Sequence, residues 1–286
     1  MSKHLNERSC SRPVNSKPTV ALTMPINQTD ERLSDLTKAH LPTLVSCYTG
    51  VAAYCSRATH PAILDLLHQH RVSVHVDEEG AAGIHRIGDV RRQTIRAGLL
   101  AGTTHLQMCD FDRAIHWVAN YPEELREVVA EIPNFDLLVL GRTERAWATH
   151  PPYQRETEPL FNRVFALVTG LRWDVGAGSR GFSRRGAETL LGVSREQTVG
   201  IDAELPLLLL KRDGFRVGHR LCEGLEFETA DRFRAEIESA GSYEAWEAQM
   251  SADPKRWVSR MQLAQIIAEA VIRYGEGLQH RASNDE

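Results

Sequence analysis

The stretch Thr104–Arg113 (THLQMCDFDR) decides how the rest of the chain is interpreted. A short apolar run ends in two carboxylates at positions i and i+2, Asp110 and Asp112, and a basic residue follows. Side chains at i and i+2 of an extended segment lie on one face. Just past the end of a strand, such a pair can bind one hard cation, Mg²⁺ or Mn²⁺. The structural alternative is one helix-capping aspartate and one solvated loop charge.

The composition is that of an ordinary globular protein, with 42% hydrophobic and 25% charged residues in a chain of 286. A formal net charge of −4 gives no general attraction to nucleic acid or anionic lipid. The five cysteines form no C-x-x-C pair, which favours buried thiols in a reducing compartment. Residues 1–17 are polar and lack the apolar core of a secretory signal. We therefore expect a cytoplasmic protein without a membrane span, preceded by a disordered tail at residues 1–17.

Strands and helices alternate along the first half of the chain. Apolar runs predict strands at Val20–Ile26, Val51–Cys55, Val72–Val76, the opening stretch, Asp136–Leu140 and Phe215–Leu221. Helical spacing predicts helices between them, including one at Asp89–Ala101 and one at Tyr121–Glu131. This alternation implies βαβ units and a parallel sheet, and such sheets bind ligands at the carboxyl ends of their strands. Asp77 and Asp110 both follow predicted strands, so we expect them at one edge.

A glycine-rich stretch, Val175–Arg185, precedes a predicted helix. It is not a P-loop, because no Gly-Lys-Ser/Thr follows. One interpretation is a flexible turn. The other is a backbone that approaches a ligand closely because side chains are absent, with Arg180 donating a charge-assisted hydrogen bond to an anionic group.

Two acidic residues, Asp202 and Glu204, begin a later helix. Carboxylates in a first turn complement the helix dipole, which is a purely structural reason for them. The functional alternative is that one of them reaches an acceptor hydroxyl as a general base or positioning group.

The remaining candidates are arginines outside these motifs. Arg91 and Arg92 lie one helix before the opening stretch, and they are either surface charges or face a diphosphate. Arg142, Arg145 and Thr149 are likewise either surface residues or contacts of an acceptor anion. None of the 12 histidines shows a zinc-binding spacing, so structural roles are favoured for each of them.

Four features in order resemble the GT-A glycosyltransferases, which use nucleotide sugars. They are a first strand ending in Met24-Pro25, the Asp-x-Asp after a strand, the turn at Gly176–Gly181, and Gly200-Ile201-Asp202. The last three are most similar to mannosylglycerate and glucosyl-3-phosphoglycerate synthases. The resemblance covers roughly residues 18–231.

This resemblance implies a donor site for a nucleoside diphosphate sugar. Asp110 and Asp112 would hold Mg²⁺ or Mn²⁺ on the diphosphate, with Phe111 between them. Pro25 and Asp77 would line the nucleoside pocket. Arg92 completes the donor-binding set that we assign.

The resemblance also implies an acceptor site. Asp202 would lie beside the reacting carbon of the sugar, and we assign Glu204 to the catalytic group with it. Arg145 and Thr149 would hold an acceptor carboxylate. By the same resemblance we assign Gly178, Ser179 and Arg180 to acceptor binding.

The pattern departs from these synthases at two places. They supply a histidine as a third metal ligand after a Glu-Gly pair, whereas this chain continues Glu223–Glu228 without one. Glu226, Glu228 or water would take that place, and we assign Glu228. The glutamate of the acceptor loop is replaced by Ser179, so the acceptor stays open.

We therefore predict an α/β GT-A-like domain at residues 18–228 and a C-terminal helical region at 229–286. The predicted function is metal-dependent transfer of a hexose from a nucleoside diphosphate sugar to a small hydroxylated acceptor, which may carry a carboxylate. The alternatives are an Asp-x-Asp phosphatase of the haloacid dehalogenase type and a non-catalytic sugar-nucleotide-binding protein. A nucleotidyltransferase would need an N-terminal glycine-rich phosphate loop, which this sequence does not contain. Four C-terminal apolar residues offer a possible homodimer face: Trp246, Trp257, Ile266 and Ile267.

Overall fold

A computed structural model describes residues 18–79 and 83–278 of the chain. The predicted N-terminal tail at residues 1–17 lies outside the described residues, as does Gly80 of the acidic loop after the third strand. Within the described ranges, no helix is long and apolar enough to cross a membrane.

Seven strands and twelve α-helices follow one another along these residues. The strands are β1 Val20–Ile26, β2 Gly50–Ser56, β3 Ser73–Asp77, β4 His105–Met108, β5 Leu137–Arg142, β6 Ser179–Ser183 and β7 Val217–Cys222. The helices are α1 Ser34–Ser46, α2 Pro61–Gln69, α3 Gly83–Leu99, α4 Phe111–Asn120, α5 Pro122–Glu131, α6 Glu144–Ala148, α7 Pro152–Thr169, α8 Arg184–Val193, α9 Ile201–Leu210, α10 Arg234–Ala240, α11 Tyr243–Ser251 and α12 Pro254–Gly275. Short 3-10 turns lie at Ile132–Asn134, Glu223–Leu225 and Glu228–Phe233.

The strands form one sheet in the order β3-β2-β1-β4-β6-β5-β7. All neighbours are parallel except β6, which runs antiparallel to both β4 and β5. The prediction of an α/β fold with a mainly parallel sheet and flanking helices is therefore confirmed. The carboxyl ends of β1 to β4 share one edge, and the amino end of β6 lies at that same edge.

The strand β1 lies inside the sheet, between β2 and β4, and is buried on both faces. In β1 every residue is buried except Pro25, which is half-buried, as expected for a parallel strand covered by helices on both sides. Pro25 lies inside β1 rather than ending it. Since β4 pairs with β1 only as far as Thr23, the missing amide of Pro25 falls where β1 has a single neighbour, β2.

Helices cover the sheet on both faces. Leu22 points into a core shared with α1, α2 and α4, whereas its neighbour Ala21 points into a core shared with α3, α8 and α9. A third apolar cluster joins α7, α9 and α12, so the C-terminal helix packs against the domain that precedes it. This confirms the predicted C-terminal helical extension.

Two elements near the predicted site were missed. The glycine-rich stretch contains the strand β6 instead of a simple turn, and its five residues are all buried. The opening motif does not end in a loop, because α4 begins at Phe111 directly after Asp110. Asp112 therefore lies in the first turn of a helix, not on the face of a strand.

The proposed dimer face is partly used inside the chain. Trp246 is buried against Phe233 and Tyr243, and Ile267 is buried in the third cluster. These two side chains are not available to a second copy, which corrects that part of the prediction.

Candidate active site

A cleft of about 650 Å³ lies at the carboxyl edge of the sheet. Its walls come from the ends of β1, β2 and β3, from the start of α4, from α3, and from the 3-10 turn at Glu228–Phe233. Six predicted site residues line it: Pro25, Asp77, Asp110, Phe111, Asp112 and Glu228. The cleft thus brings together side chains from six separate elements. It lies at the edge where a parallel sheet binds its ligands.

Asp110 occupies the N-cap position of α4, but its side chain makes no capping hydrogen bond. It pairs with Arg91 of α3 instead. Arg91 Nη1 donates to Asp110 Oδ1 and Nη2 donates to Oδ2 at 3.1 Å. Burial alone would raise the pKa of Asp110, but the Arg91 guanidinium lowers it overall. Asp110 is therefore an ionised carboxylate held by one arginine, and not a simple helix cap.

Asp112, in the first turn of α4, is the least compensated carboxylate of the cleft. Its Oδ1 accepts the Arg113 amide at 2.9 Å, and no ion pair to it is found among residues 18–79 and 83–278. Burial, together with the charges of Glu228 and Asp110, raises its pKa to about 6. The carboxylates of Asp110, Asp112 and Glu228 thus lie close enough to affect one another, and Asp112 is the one without a basic residue paired to it among the described residues.

Glu228 is held by the second basic residue of the motif. Arg113 Nη2 donates to Glu228 Oε2 at 2.9 Å, and Arg113 Nη1 donates to the Ala177 carbonyl. Both side chains of this ion pair are nearly buried. Arg113 consequently links α4, the glycine-rich stretch and the turn that begins at Glu228.

A divalent cation fits this site by the chemistry of its donors. Carboxylate oxygens are the ligands that Mg²⁺ and Mn²⁺ prefer, and the like-charge crowding at Asp112 is what a cation would relieve. The described residues show no group of three or more His, Cys, Asp or Glu side chains already arranged around a metal. Asp110 and Glu228 are each engaged by an arginine, so Asp112 is the carboxylate of the three that has no ion pair among the described residues.

Asp77 lies at the carboxyl end of β3 and is fixed by its neighbours. Arg86 Nη2 donates to its two oxygens at 2.7 and 2.9 Å, and the Glu79 amide donates to Oδ1 at 3.1 Å. Burial alone would raise the pKa of Asp77, but these hydrogen bonds lower it. With Tyr54 of β2 beside it, Asp77 forms a rigid polar wall of the cleft.

The glycine-rich stretch approaches Asp110 from the side of β6. Gly178 has φ of +72°, and a Cβ there would lie 3.0 Å from Asp110 Oδ2. Glycine is needed at this position both for the left-handed backbone and for the close approach. Ser179 is buried and accepts a hydrogen bond from Gln107 at 3.3 Å.

Arg180 and Asp202 form a buried pair behind the cleft. Arg180 Nη1 lies 3.1 Å from Asp202 Oδ1, and Nη2 donates to the carbonyls of Val175 and Asp202 at 2.7 Å each. Neither residue lines the cleft. The charges of both Asp110 and Asp202 act on Arg91. Acidic and basic side chains therefore alternate from the cleft inward, in the order Asp110, Arg91, Asp202 and Arg180.

Glu204 lies outside the cleft, which corrects its assignment as a catalytic residue. It is fully buried, and its carboxylate accepts Ser194 Oγ at 2.5 Å and the amides of Arg195 and Glu196 at 2.7 and 3.1 Å. These bonds fasten the loop between α8 and α9 to α9. Its role is structural.

The structure also places Arg92 away from the cleft. Its guanidinium binds the same loop, through the Glu196 carbonyl and Gln197 Oε1 at 3.1 Å. Arg91, the adjacent residue, lines the cleft in its place. Of these two arginines, it is therefore Arg91 that lies at the cleft.

Arg145 and Thr149 do not line the cleft either. Arg145 is paired with Glu223 and, at 2.7 Å, with Glu226. Thr149 Oγ1 donates to the Ala146 carbonyl at 2.7 Å and accepts the Phe227 amide at 2.9 Å. Both side chains tie the region after β7 to α6, and their assignment to an acceptor stays a prediction.

His116 anchors the turn that carries Glu228. Its Nδ1 lies 2.6 Å from Asp231 Oδ2 and its Nε2 lies 3.0 Å from Glu226 Oε1. Burial alone would lower the pKa of His116, but the two carboxylates raise it overall. A protonated His116 donates from both ring nitrogens and fixes this turn to α4.

Comparison with known proteins finds likeness in structure but not in sequence. No protein-family model matches the chain, and no curated protein matches its sequence. Glucosyl-3-phosphoglycerate synthase from Mycobacterium tuberculosis is similar, with a TM-score of 0.48 and 12% identity over 79% of this chain and 80% of that one. A complex of the synthase with Mn²⁺, UDP and phosphoglyceric acid gives a TM-score of 0.46 and 12% identity, over 71% of this chain and 68% of that one.

Mannosyl-3-phosphoglycerate synthase from Rubrobacter xylanophilus is also similar, with a TM-score of 0.46 and 14% identity over 78% of this chain and 75% of that one. The first of these two enzymes is one that the sequence motifs resemble. At such identities and scores, function has to be argued from the side chains of this chain.

Proposed function

We propose that this chain is a metal-dependent glycosyltransferase of the GT-A type. It transfers a hexose from a nucleoside diphosphate sugar to a small hydroxylated acceptor. The observation that carries the proposal is the cleft at the carboxyl edge, where Asp110 and the uncompensated Asp112 meet Asp77 and Arg91. It agrees with the nature of the similar enzymes, glucosyl- and mannosyl-3-phosphoglycerate synthase.

The residues that line the cleft suit the parts of a sugar nucleotide. Pro25, Tyr54 and Asp77 line the cleft from β1, β2 and β3 and would hold the nucleoside. Arg91 and Arg232 also line it and bring positive charge, which would suit the diphosphate. A volume of about 650 Å³ is within the usual range for a site that binds a ligand of this size.

Asp112 and Asp110 would hold the Mg²⁺ or Mn²⁺ ion, with Glu228 beside them. When bound, such an ion supplies Lewis acidity that stabilises a departing diphosphate. The role of the chain itself is to present ionised oxygens at a fixed place. Arg91 keeps Asp110 ionised, and Arg113 holds Glu228 and the Ala177 carbonyl in position.

Asp202 is proposed as a positioning residue. It touches Arg180 and not the cleft, and Arg180 in turn binds the Val175 carbonyl of the glycine-rich stretch. Through this contact Asp202 holds Gly178 against Asp110. This is the part of the predicted acceptor site that stays in the proposal.

Titration calorimetry with UDP or GDP, with and without Mn²⁺, tests the donor site. We expect Asp110→Ala and Asp112→Ala to lose the Mn²⁺-dependent part of nucleotide binding. Asp65→Ala, which removes an exposed aspartate of α2, is the matched control and should bind as the unaltered protein does. Unchanged Mn²⁺-dependent affinity in both site variants would show that the cleft is not the donor site.

A second candidate is a sugar-nucleotide-binding protein without turnover. The observation that favours it is that Arg91 and Arg113 already neutralise two of the three carboxylates. Slow release of sugar from UDP- or GDP-hexoses in the presence of Mn²⁺ separates the two candidates. Binding without any release across the donors would favour the second.

A further inference from the structure

A second cleft, of about 460 Å³, lies between α7, the turn at Glu228–Phe233 and the first turns of α12. Four of its lining side chains are basic: Arg232, Lys255, Arg256 and Arg260. No aspartate or glutamate lines it. The cleft is therefore positively charged, although the net charge of the chain is −4.

Three of these four cations have no ion pair among residues 18–79 and 83–278. Arg260 alone is paired, with Glu158 Oε1 at 3.4 Å. Arg232 Nε is a buried atom without a hydrogen-bond partner. Arg256 lies beside the Tyr153 hydroxyl, where its charge opposes the effect of burial on the tyrosine pKa. Unpaired like charges side by side are unfavourable unless an anion joins them.

Two of the basic residues lie at a helix N-terminus, a position that helix electrostatics does not favour for them. Lys255 and Arg256 occupy the first turn of α12, which has no acidic residue of its own. The N-cap Asp253 accepts the Lys255 amide at 2.9 Å, but no ion pair between Asp253 and either cation is found among the described residues. Cations are unfavourable at a helix N-terminus because the dipole is positive there, and a bound anion would offset this.

Arg232 lines both this cleft and the donor cleft. A ligand in the second cleft therefore lies next to whatever occupies the first. We propose that the second cleft binds the anionic end of the acceptor, a phosphomonoester or carboxylate, and so directs the acceptor hydroxyl toward the donor cleft. This assignment rests on the proposed function, and it replaces the acceptor site predicted around Arg145 and Thr149.

The hydroxyl groups of the cleft support a small oxygen-rich anion. Tyr153, Thr229 and Ser259 line it together with the cations. A phosphomonoester has three oxygens that accept charge-assisted hydrogen bonds, and arginine binds two of them at once. A carboxylate uses the same donors with fewer bonds.

Calorimetric titration with inorganic phosphate, without donor or metal, tests the anion site on its own. We expect Lys255→Met and Arg256→Met each to weaken phosphate binding by at least about tenfold, because each removes a charge-assisted hydrogen bond to the anion. Arg96→Met removes an exposed arginine of α3 and is the matched control, with no expected change. Equal phosphate affinity in all four proteins would overturn the site.

Kinetics with 3-phosphoglycerate and glycerate as acceptors tests what the site is for. We expect Arg256→Met to raise the KM for 3-phosphoglycerate about tenfold or more, with a smaller rise for glycerate. The affinity for UDP with Mn²⁺ should stay as in the Arg96→Met control. A lower phosphate affinity with an unchanged acceptor KM would overturn the acceptor assignment, because the anion would then be an effector. Failure of the donor proposal would appear separately, as absent nucleotide binding beside intact phosphate binding.

Discussion

Replacing Asp112 by Asn should stabilise the metal-free protein while it weakens cation binding. The carboxylate lies in the first turn of α4, near Glu228 and Asp110, without a basic partner among the described residues. Asn keeps the shape and the Oδ1 that accepts the Arg113 amide, and it removes only the charge. The two effects therefore come from one change.

The magnitude follows from the pKa shift. Burial and the two neighbouring carboxylates raise the pKa of Asp112 from 3.8 to about 6. A shift of about 2 units corresponds to about 3 kcal/mol at roughly 1.4 kcal/mol per unit, and solvent screening at this partly exposed group lowers the expectation to about 1–3 kcal/mol. Because the folded-state pKa is raised, the stability that Asp112 contributes is present below pH 3.8 and is lost as the pH rises through 6.

Urea denaturation of both proteins from pH 5 to pH 8, with chelator present, measures this effect. The difference in free energy of unfolding should be roughly half its full value at pH 5 and level off above pH 7. Asp65→Asn, at an exposed position of α2, is the control. Adding Mn²⁺ should raise the stability of the unaltered protein more than that of Asp112→Asn. A variant that is less stable than the parent at pH 7.5, or a difference that does not change with pH, would refute the reasoning.

Two further substitutions test how the surroundings of the site are held. Arg142→Leu should cost about 3–5 kcal/mol in urea denaturation, because it leaves the buried carboxylates of Asp174 and Glu158 without their shared partner. Arg163→Leu, an exposed change in α7, should stay within about 0.5 kcal/mol. Gly224→Ala should cost about 1–3 kcal/mol, since its Cβ would lie 1.9 Å from Trp117 Cδ1 and push the turn after β7 off α4. Gly192→Ala in α8 meets no atom within 4 Å and should be neutral or stabilising, so a similar loss in both glycine variants would contradict this explanation.

The parallel part of the sheet could be predicted because local sequence determines it. Strands such as β1 are short apolar runs bounded by turn residues, and burial on both faces leaves no alternation to interpret. The carboxyl ends of parallel strands then share an edge by geometry alone. This is why the sequence predicts Asp77, Asp110 and Asp112 at one edge of the sheet.

The strand β6 could not be found in this way. Its five residues, SRGFS, include a single large apolar side chain, Phe182. Its strand character comes from β4 and β5, which pair with it on both sides and bury all of it. Tertiary contacts override local preference here. The antiparallel direction also explains why Gly178, at the amino end of β6, meets Asp110.

For a related reason, the sequence could not show whether Arg91 or Arg92 lines the cleft. They precede the buried Ile95 by four and three positions, so helical periodicity turns both toward the interior. Only the neighbours differ, the loop before α9 for Arg92 and Asp110 for Arg91. Asp202 and Glu204 present the opposite case, because residues two apart on a helix point in different directions and cannot both face one acceptor.

Charge in this protein is divided between two adjoining clefts, which a net charge of −4 conceals. The donor cleft is lined by four carboxylates, those of Asp77, Asp110, Asp112 and Glu228, and by two arginines. The second cleft is lined by four cations and no carboxylate, and Arg232 belongs to both. A cation with a diphosphate suits the first, and an anion alone suits the second. Because the cations come from α12 and from the turn at Glu228–Phe233, their convergence depends on how the C-terminal helices pack. Composition excluded a polyanion partner along the whole surface, but it could not detect a site for a small anion beside an acidic one.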